Sequence, residues 1–210
     1  MEFDSSLVDP RYLSAATDLY GRLDLLGTGD SVTHAYYHWS ANRYDMAYPD
    51  YNVNVILQNG AWVPVYTTSV LLNATNPLRT GYAAHTYLRN SFAVGICVAA
   101  MLNATPSNFG DFPVQIHQLE MLCAAGAAIC AKYDIDSTDP SLVMTHAEAA
   151  IADGYYVTDQ PADGITRWDL ARFADSNDPL TKAEAIASGG QLRALTHAYK
   201  LAILQALNLA

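Results

Sequence analysis

FAVGICVA, residues 92–99, is the stretch on which the fold turns. It carries no charge, and valine and isoleucine recur through it. A strand with one face in water alternates apolar and polar residues, whereas a continuous apolar run is buried on both faces and marks a central, parallel strand. The run continues to 102 as FAVGICVAAML, still well short of the ~20 residues that cross a bilayer. A strand of this kind needs helices to cover it, and its flanks supply them. Pro113 opens VQIHQLEMLCAAGAAICAKY, a long helix reaching about Tyr133. Upstream, NVNVIL (52–57) alternates, Asn59-Gly60 makes a turn and AWVPVY (61–66) follows, which predicts a hairpin. SLVMTH (141–146) predicts a short buried strand. RYLSAATDLYGRLDLL (11–26) has helical spacing and ends at Gly27, and 189–208 predicts an amphipathic helix after a Gly-Gly stop. Strands alternating with helices predict one α/β domain with a central mixed sheet, flanking helices and helical extensions at both ends.

Composition narrows the function. With 51% hydrophobic residues and 15% charged, the 210-residue chain has a core to bury and is not a disordered segment. A formal net charge of −10 argues against nucleic-acid binding and against adhesion to anionic membranes. The start, MEFDSSLVDPRY, is acidic and polar, so the expectation is a protein made in the cytoplasm without a secretory signal and without membrane insertion. Cys97, Cys123 and Cys130 sit in small or apolar surroundings, which predicts buried free thiols.

The chemistry-bearing residues are few. His146 ends a predicted strand, the usual place for a site in an α/β fold. His38 stands in THAYYHWSAN, where an apolar stretch gives way to a polar loop, and Asp169 closes the triplet Arg167-Trp168-Asp169. Two imidazoles and a carboxylate make a catalytic zinc set that leaves one coordination position open. Spacing alone does not single these out among six histidines.

An ordered series of short motifs does. HWSA (38–41), YN (51–52), AAHT (83–86), NSFAVGICVAA (90–100), PVQIHQLE (113–120), THAE (145–148) and RWD (167–169) together resemble the zinc-dependent type-2 N-acetylmuramoyl-L-alanine amidases. That family includes amidase-type phage lysozymes and animal peptidoglycan recognition proteins, and the resemblance covers roughly 30–173. It implies a Zn2+ cofactor bound by His38, His146 and Asp169. It implies Tyr51 as a catalytic group, in a pair that reads Tyr-Asn where the family has Tyr-His. It places Arg167 where the family usually has an oxyanion-stabilising Lys, and His85 at a histidine of the substrate cleft. Trp39 and Tyr82 are further candidates for substrate contact. In an extended segment alternate residues share a face, so Arg167 and Asp169 would point into the site and Trp168 into packing.

The implied reaction is hydrolysis of the amide between N-acetylmuramic acid and L-alanine, as in a phage endolysin that reaches the wall through a lysis pore. The alternatives are a peptidoglycan-binding module without catalysis, an intracellular amidase acting on muropeptides, and an α/β domain with an unrelated role. Peptidoglycan is itself anionic, so an acidic enzyme must rely on local cations such as Arg43, Arg79, Arg89 and Arg167. The remaining polar candidates are given bland roles. His34 reads as structural, His117 as surface, and Glu148 as either a solvent-facing residue or one that orients a ligand. Asn90 reads as a brace for its loop, and His197 is assigned nothing.

Overall fold

A computed structural model describes residues 8–25, 32–68, 83–154 and 167–209. Its elements run α1 (Pro10–Leu25), β1 (His34–Trp39), β2 (Val53–Gln58), β3 (Ala61–Tyr66), β4 (Ala93–Val98), α2 (Ile116–Lys132), β5 (Val143–Thr145), α3 (His146–Ala152) and α4 (Lys182–Ala206). The strands form one sheet in the order β3-β2-β4-β1-β5. The β2–β3 hairpin is antiparallel and every other pairing is parallel, so this is a mixed sheet with flanking helices.

FAVGICVA folds as the sequence dictates: β4 lies between β2 and β1, and all six of its residues are buried. The hairpin turns on Asn59 and Gly60, both at positive φ (53° and 79°), as the twist of the flanking strands requires. The three thiols are free and buried.

Helix α2 is apolar nearly all round and is buried at Gln118, Leu119 and from Met121 to Cys130. It lies between the sheet and the two terminal helices, packing on β1 to β4 on one side and on α1 and α4 on the other. Gly126 makes that layer close: a Cβ there would overlap the Tyr37 hydroxyl, which reaches past α2 to Thr196 of α4 at 2.7 Å. Among the described residues no helix is long and apolar enough to cross a membrane.

Two sequence expectations need correcting. The Gly189-Gly190 pair does not precede the last helix; α4 starts at Lys182, capped by Thr181, and runs through both glycines. The reason is a tertiary contact, since a Cβ on Gly189 would overlap the Glu148 carboxylate. The predicted strand 141–146 is shorter, Val143–Thr145, and His146 begins a helix. Thr145 caps that helix and Glu148 reaches back to the Thr145 N–H, a capping box already spelled out by the letters THAE.

Candidate metal centre

Parallel pairing of β1 with β5 sets Tyr37 opposite Thr145. The residues that follow, His38 and His146, therefore emerge side by side at the carboxyl ends of neighbouring parallel strands. Asp169 enters from the segment that follows, and its backbone carbonyl accepts from Ala147 N–H at 3.3 Å. Contrary to the alternation expected for 167–169, Trp168 lines the same cavity as Asp169 and Arg167 does not; Trp168 also makes an edge-to-face contact with Trp39, ring centroids 4.5 Å apart, with Phe109 beside both.

His38 Nδ1 lies 3.3 Å and His146 Nδ1 3.2 Å from the same oxygen, Asp169 Oδ2. One ligand atom from each of the three residues falls within 4.8 Å of the others. For metal–ligand bonds of about 2.05 Å, the edge of a tetrahedron is about 3.3 Å, so the two imidazole–carboxylate spacings match a shared tetrahedral cation. This group could hold a metal ion.

The electrostatics agree with a ligand role. Burial pushes His38 down to about 4, helped by His146 and opposed by Asp169, so its imidazole is neutral at physiological pH and offers a lone pair. Burial alone would raise the Asp169 carboxyl, but the two histidines outweigh it and hold it below its ordinary value.

His146 and Asp169 line a cavity of about 370 Å³, whereas His38 is fully buried and does not line it. Tyr51 and Trp39 form part of its wall, with Met101 and Trp168. The Tyr51 ring lies 5.1 Å from that of His38, and its hydroxyl donates to the Trp39 carbonyl at 3.3 Å. Burial raises the Tyr51 phenol well above its ordinary value, so it stays protonated.

Other candidates stand elsewhere. Arg167 is half-buried, with its guanidinium 5.7 Å from the centre of the Tyr87 ring, and does not line the cavity. His85 also lies off the cavity, buried behind His38 with ring centroids 5.5 Å apart. Burial, with His38 and His146 adding to it, holds His85 well below its ordinary value. Tyr82 and Arg79 lie outside the described residues. Asn52, the departure from a Tyr-His pair, is buried in the sheet, where its side chain accepts from Gly95 N–H and donates to the Thr68 carbonyl. His34 is half-buried and stacks on Tyr36, His117 is exposed, and His197 meets Ser137. Arg89 is engaged by Asp153 through two contacts of 2.6 and 2.7 Å, so it is not a free cation for substrate. Arg43 is exposed beside Asp45, and Asn90 accepts from Thr86 N–H and so braces its loop.

Glu148 neither faces solvent nor touches a ligand. It is buried, its pKa raised by desolvation against the pull of the Thr145 N–H and Arg193, and it accepts from Arg193 at 2.8 Å. Arg193 also donates to the Val143 carbonyl, so α4 clamps the corner from which His146 projects. Sequence reasoning missed this support because an arginine in the last helix carries no local mark of its distant partner. Arg172 is similar: it gathers the carbonyls of Pro106, Ser176 and Asp178 and pairs with Glu184, fixing the irregular chain after Asp169 onto the start of α4.

No protein-family model matches this chain, and no curated protein or solved structure matches it either.

Proposed function

We propose that the protein is a zinc-dependent amidase that cleaves the bond between N-acetylmuramic acid and L-alanine in peptidoglycan. The observation that carries this reading is the meeting of His38, His146 and Asp169 beside one cavity, which His146, Asp169 and Tyr51 line. These are the residues that the ordered motifs pick out, from segments far apart in the chain. A cation bound there supplies Lewis acidity and a water acidic enough to attack an amide near neutral pH.

The chain's own groups do the rest. Neutral His38 and ionised Asp169, together with His146, would hold the cation. Tyr51 keeps its proton and can exchange its long bond to the Trp39 carbonyl for one to the amide oxygen as negative charge develops there. Arg167, off the cavity beside Tyr87, is left without a step in this reading. Trp39, Met101 and Trp168 give the cavity an apolar wall for the sugar and lactyl group. A volume of about 370 Å³ fits the sugar and the first amide, with the rest of the peptide outside.

The test is mass spectrometry of purified sacculi digested by metal-loaded protein, by a chelated control and by His146→Ala. Peptides with a free L-alanine amine and intact glycan strands are the expected products, absent from both controls, and His146→Ala loses zinc. Release from soluble muropeptides alone would move the substrate from the wall to its fragments, and the setting from an endolysin to intracellular recycling. Full activity in His146→Ala would overturn the assignment, and no zinc with no release would leave a binding module.

A further inference from the structure

We propose that Asn103 accepts a hydrogen bond from the acetamido N–H of the sugar and so selects N-acylated substrates, a proposal that rests on the amidase reading above. Besides His146 and Asp169, the hydrogen-bonding side chains of the cavity are those of Ser40, Tyr51, Asn103 and the two tryptophans, Trp39 and Trp168. An indole only donates. The Tyr51 hydroxyl donates to the Trp39 carbonyl and has the scissile amide oxygen as its other partner. The Ser40 hydroxyl is buried. Asn103 is exposed at the cavity, and its carboxamide is bonded to no described residue.

The chemistry of the lining fits the neutral end of the substrate. Among the described residues no lysine or arginine lines the cavity, so its wall offers no side-chain cation to the carboxylates of a stem peptide. The sugar end carries hydroxyls and one secondary amide, which has a single N–H to place. The Asp169 oxygens face the two histidines, which leaves the Asn103 carbonyl as the exposed side-chain acceptor of the cavity. Its neutral oxygen takes a hydrogen bond from an amide N–H without burying a charge. Met101 and Ala104, beside it in the wall, give the acetyl methyl an apolar seat.

The loop that carries Asn103 is tied to the segment that carries Asp169. Asn103 has a φ of 57°, a left-handed conformation that asparagine adopts more readily than most residues. Met101 N–H donates to the Phe112 carbonyl at 2.7 Å and Ala104 N–H to the Met101 carbonyl at 3.2 Å, which closes the turn around Asn103. Further along the loop, the Pro106 carbonyl accepts from Arg172 at 3.4 Å and from Ser176 N–H at 3.1 Å, both in the chain that follows Asp169. Phe109 packs against Trp39 and Trp168. An acceptor held in place before the substrate arrives costs little ordering to use.

The experiment measures kcat and KM for the parent, Asn103→Gly and Asn103→Asp on two synthetic muramoyl-L-alanyl peptides. One has the 2-acetamido group, and the other a 2-acetoxy group that keeps the size and the carbonyl but lacks the N–H. One neutral hydrogen bond is worth on the order of 2–10-fold, and the parent should prefer the acetamido substrate by a factor in that range. Glycine keeps the left-handed backbone without strain, so Asn103→Gly removes the side chain alone and should bring the preference close to one. Its loss should appear in KM, because the bond is made equally in the ground and transition states. Asn103→Asp keeps an accepting oxygen and should keep the preference. Zinc content and denaturation midpoints equal to the parent's separate recognition from a loop-folding role. Parental preference in Asn103→Gly, or equal losses on both substrates, would overturn the role of Asn103 and leave the amidase reading intact. A parent that cuts neither substrate would sink that reading and this proposal together. Should Asn103→Gly fail to fold, the parent decides, since equal kcat/KM on the two substrates would overturn the proposal.

Discussion

Substituting alanine at two adjacent glycines of α4 should move stability in opposite directions. Gly189 and Gly190 both lie in the helix interior, where replacing glycine by alanine normally gains about 1 kcal/mol. At Gly190 nothing lies within 4 Å of the new methyl, so Gly190→Ala should gain about 0.5–1 kcal/mol. At Gly189 the methyl would overlap three atoms of the buried Glu148 carboxyl group. That carboxylate pairs with Arg193 at 2.8 Å and accepts from Thr145 N–H at 2.9 Å. Forcing it aside leaves a buried charge without its partner, a cost of about 3–5 kcal/mol. Net of the helical gain, Gly189→Ala should lose roughly 2–4 kcal/mol. At about 2–4 °C per kcal/mol for a chain of this size, its melting midpoint should drop by about 4–16 °C. Urea and thermal unfolding of the two variants, followed by circular dichroism, give both signs in one comparison. Equal shifts would show that the Glu148 contact does not constrain the helix.

Tyr51→Phe should bind zinc as the parent does and fold equally well, yet lose about 10²–10³-fold in kcat, the usual cost of one oxyanion donor. Unchanged turnover in steady-state assays would remove Tyr51 from the chemistry. Asp153→Asn should lower stability at neutral pH by up to about 1 kcal/mol. Hydrogen bonds from Arg89 hold the Asp153 carboxyl below its ordinary 3.8 in the folded state, so its contribution is present above that pH and fades as pH falls through the folded value. Parent and variant should therefore converge in acid, and a constant gap in denaturation midpoints from pH 7 to 2 would contradict the assignment.

Legibility in the sequence followed the range of the forces involved. The β2–β3 hairpin, β4 and α2 were readable because an Asn-Gly turn, an unbroken apolar run and a proline-started apolar helix are local signals. The start of α4 was not, because glycine reads locally as a helix stop and here answers a carboxylate 41 residues earlier in the chain (189 − 148). The capping box at Thr145 and Glu148 is a local signal, spelled out by the letters THAE. His38, His146 and Asp169 could be singled out only as members of an ordered set, since any two of them are ordinary by themselves. Arg193 carries no sequence signal, because its role consists of contacts with residues far away in the chain.

His38 and Asp169 are separated by 131 positions, and His146 comes 23 before Asp169. An unfolded chain has almost no chance of presenting the three together, because closing so long a loop costs conformational entropy that only the packed sheet repays. A cation gripped by all three would act as a staple across most of the domain. Its affinity would then add to the folding free energy as a whole, by about 4 kcal/mol at a thousandfold excess over its dissociation constant. Metal supply in the surroundings would then set how long the molecule survives heat and proteases as well as how fast it works.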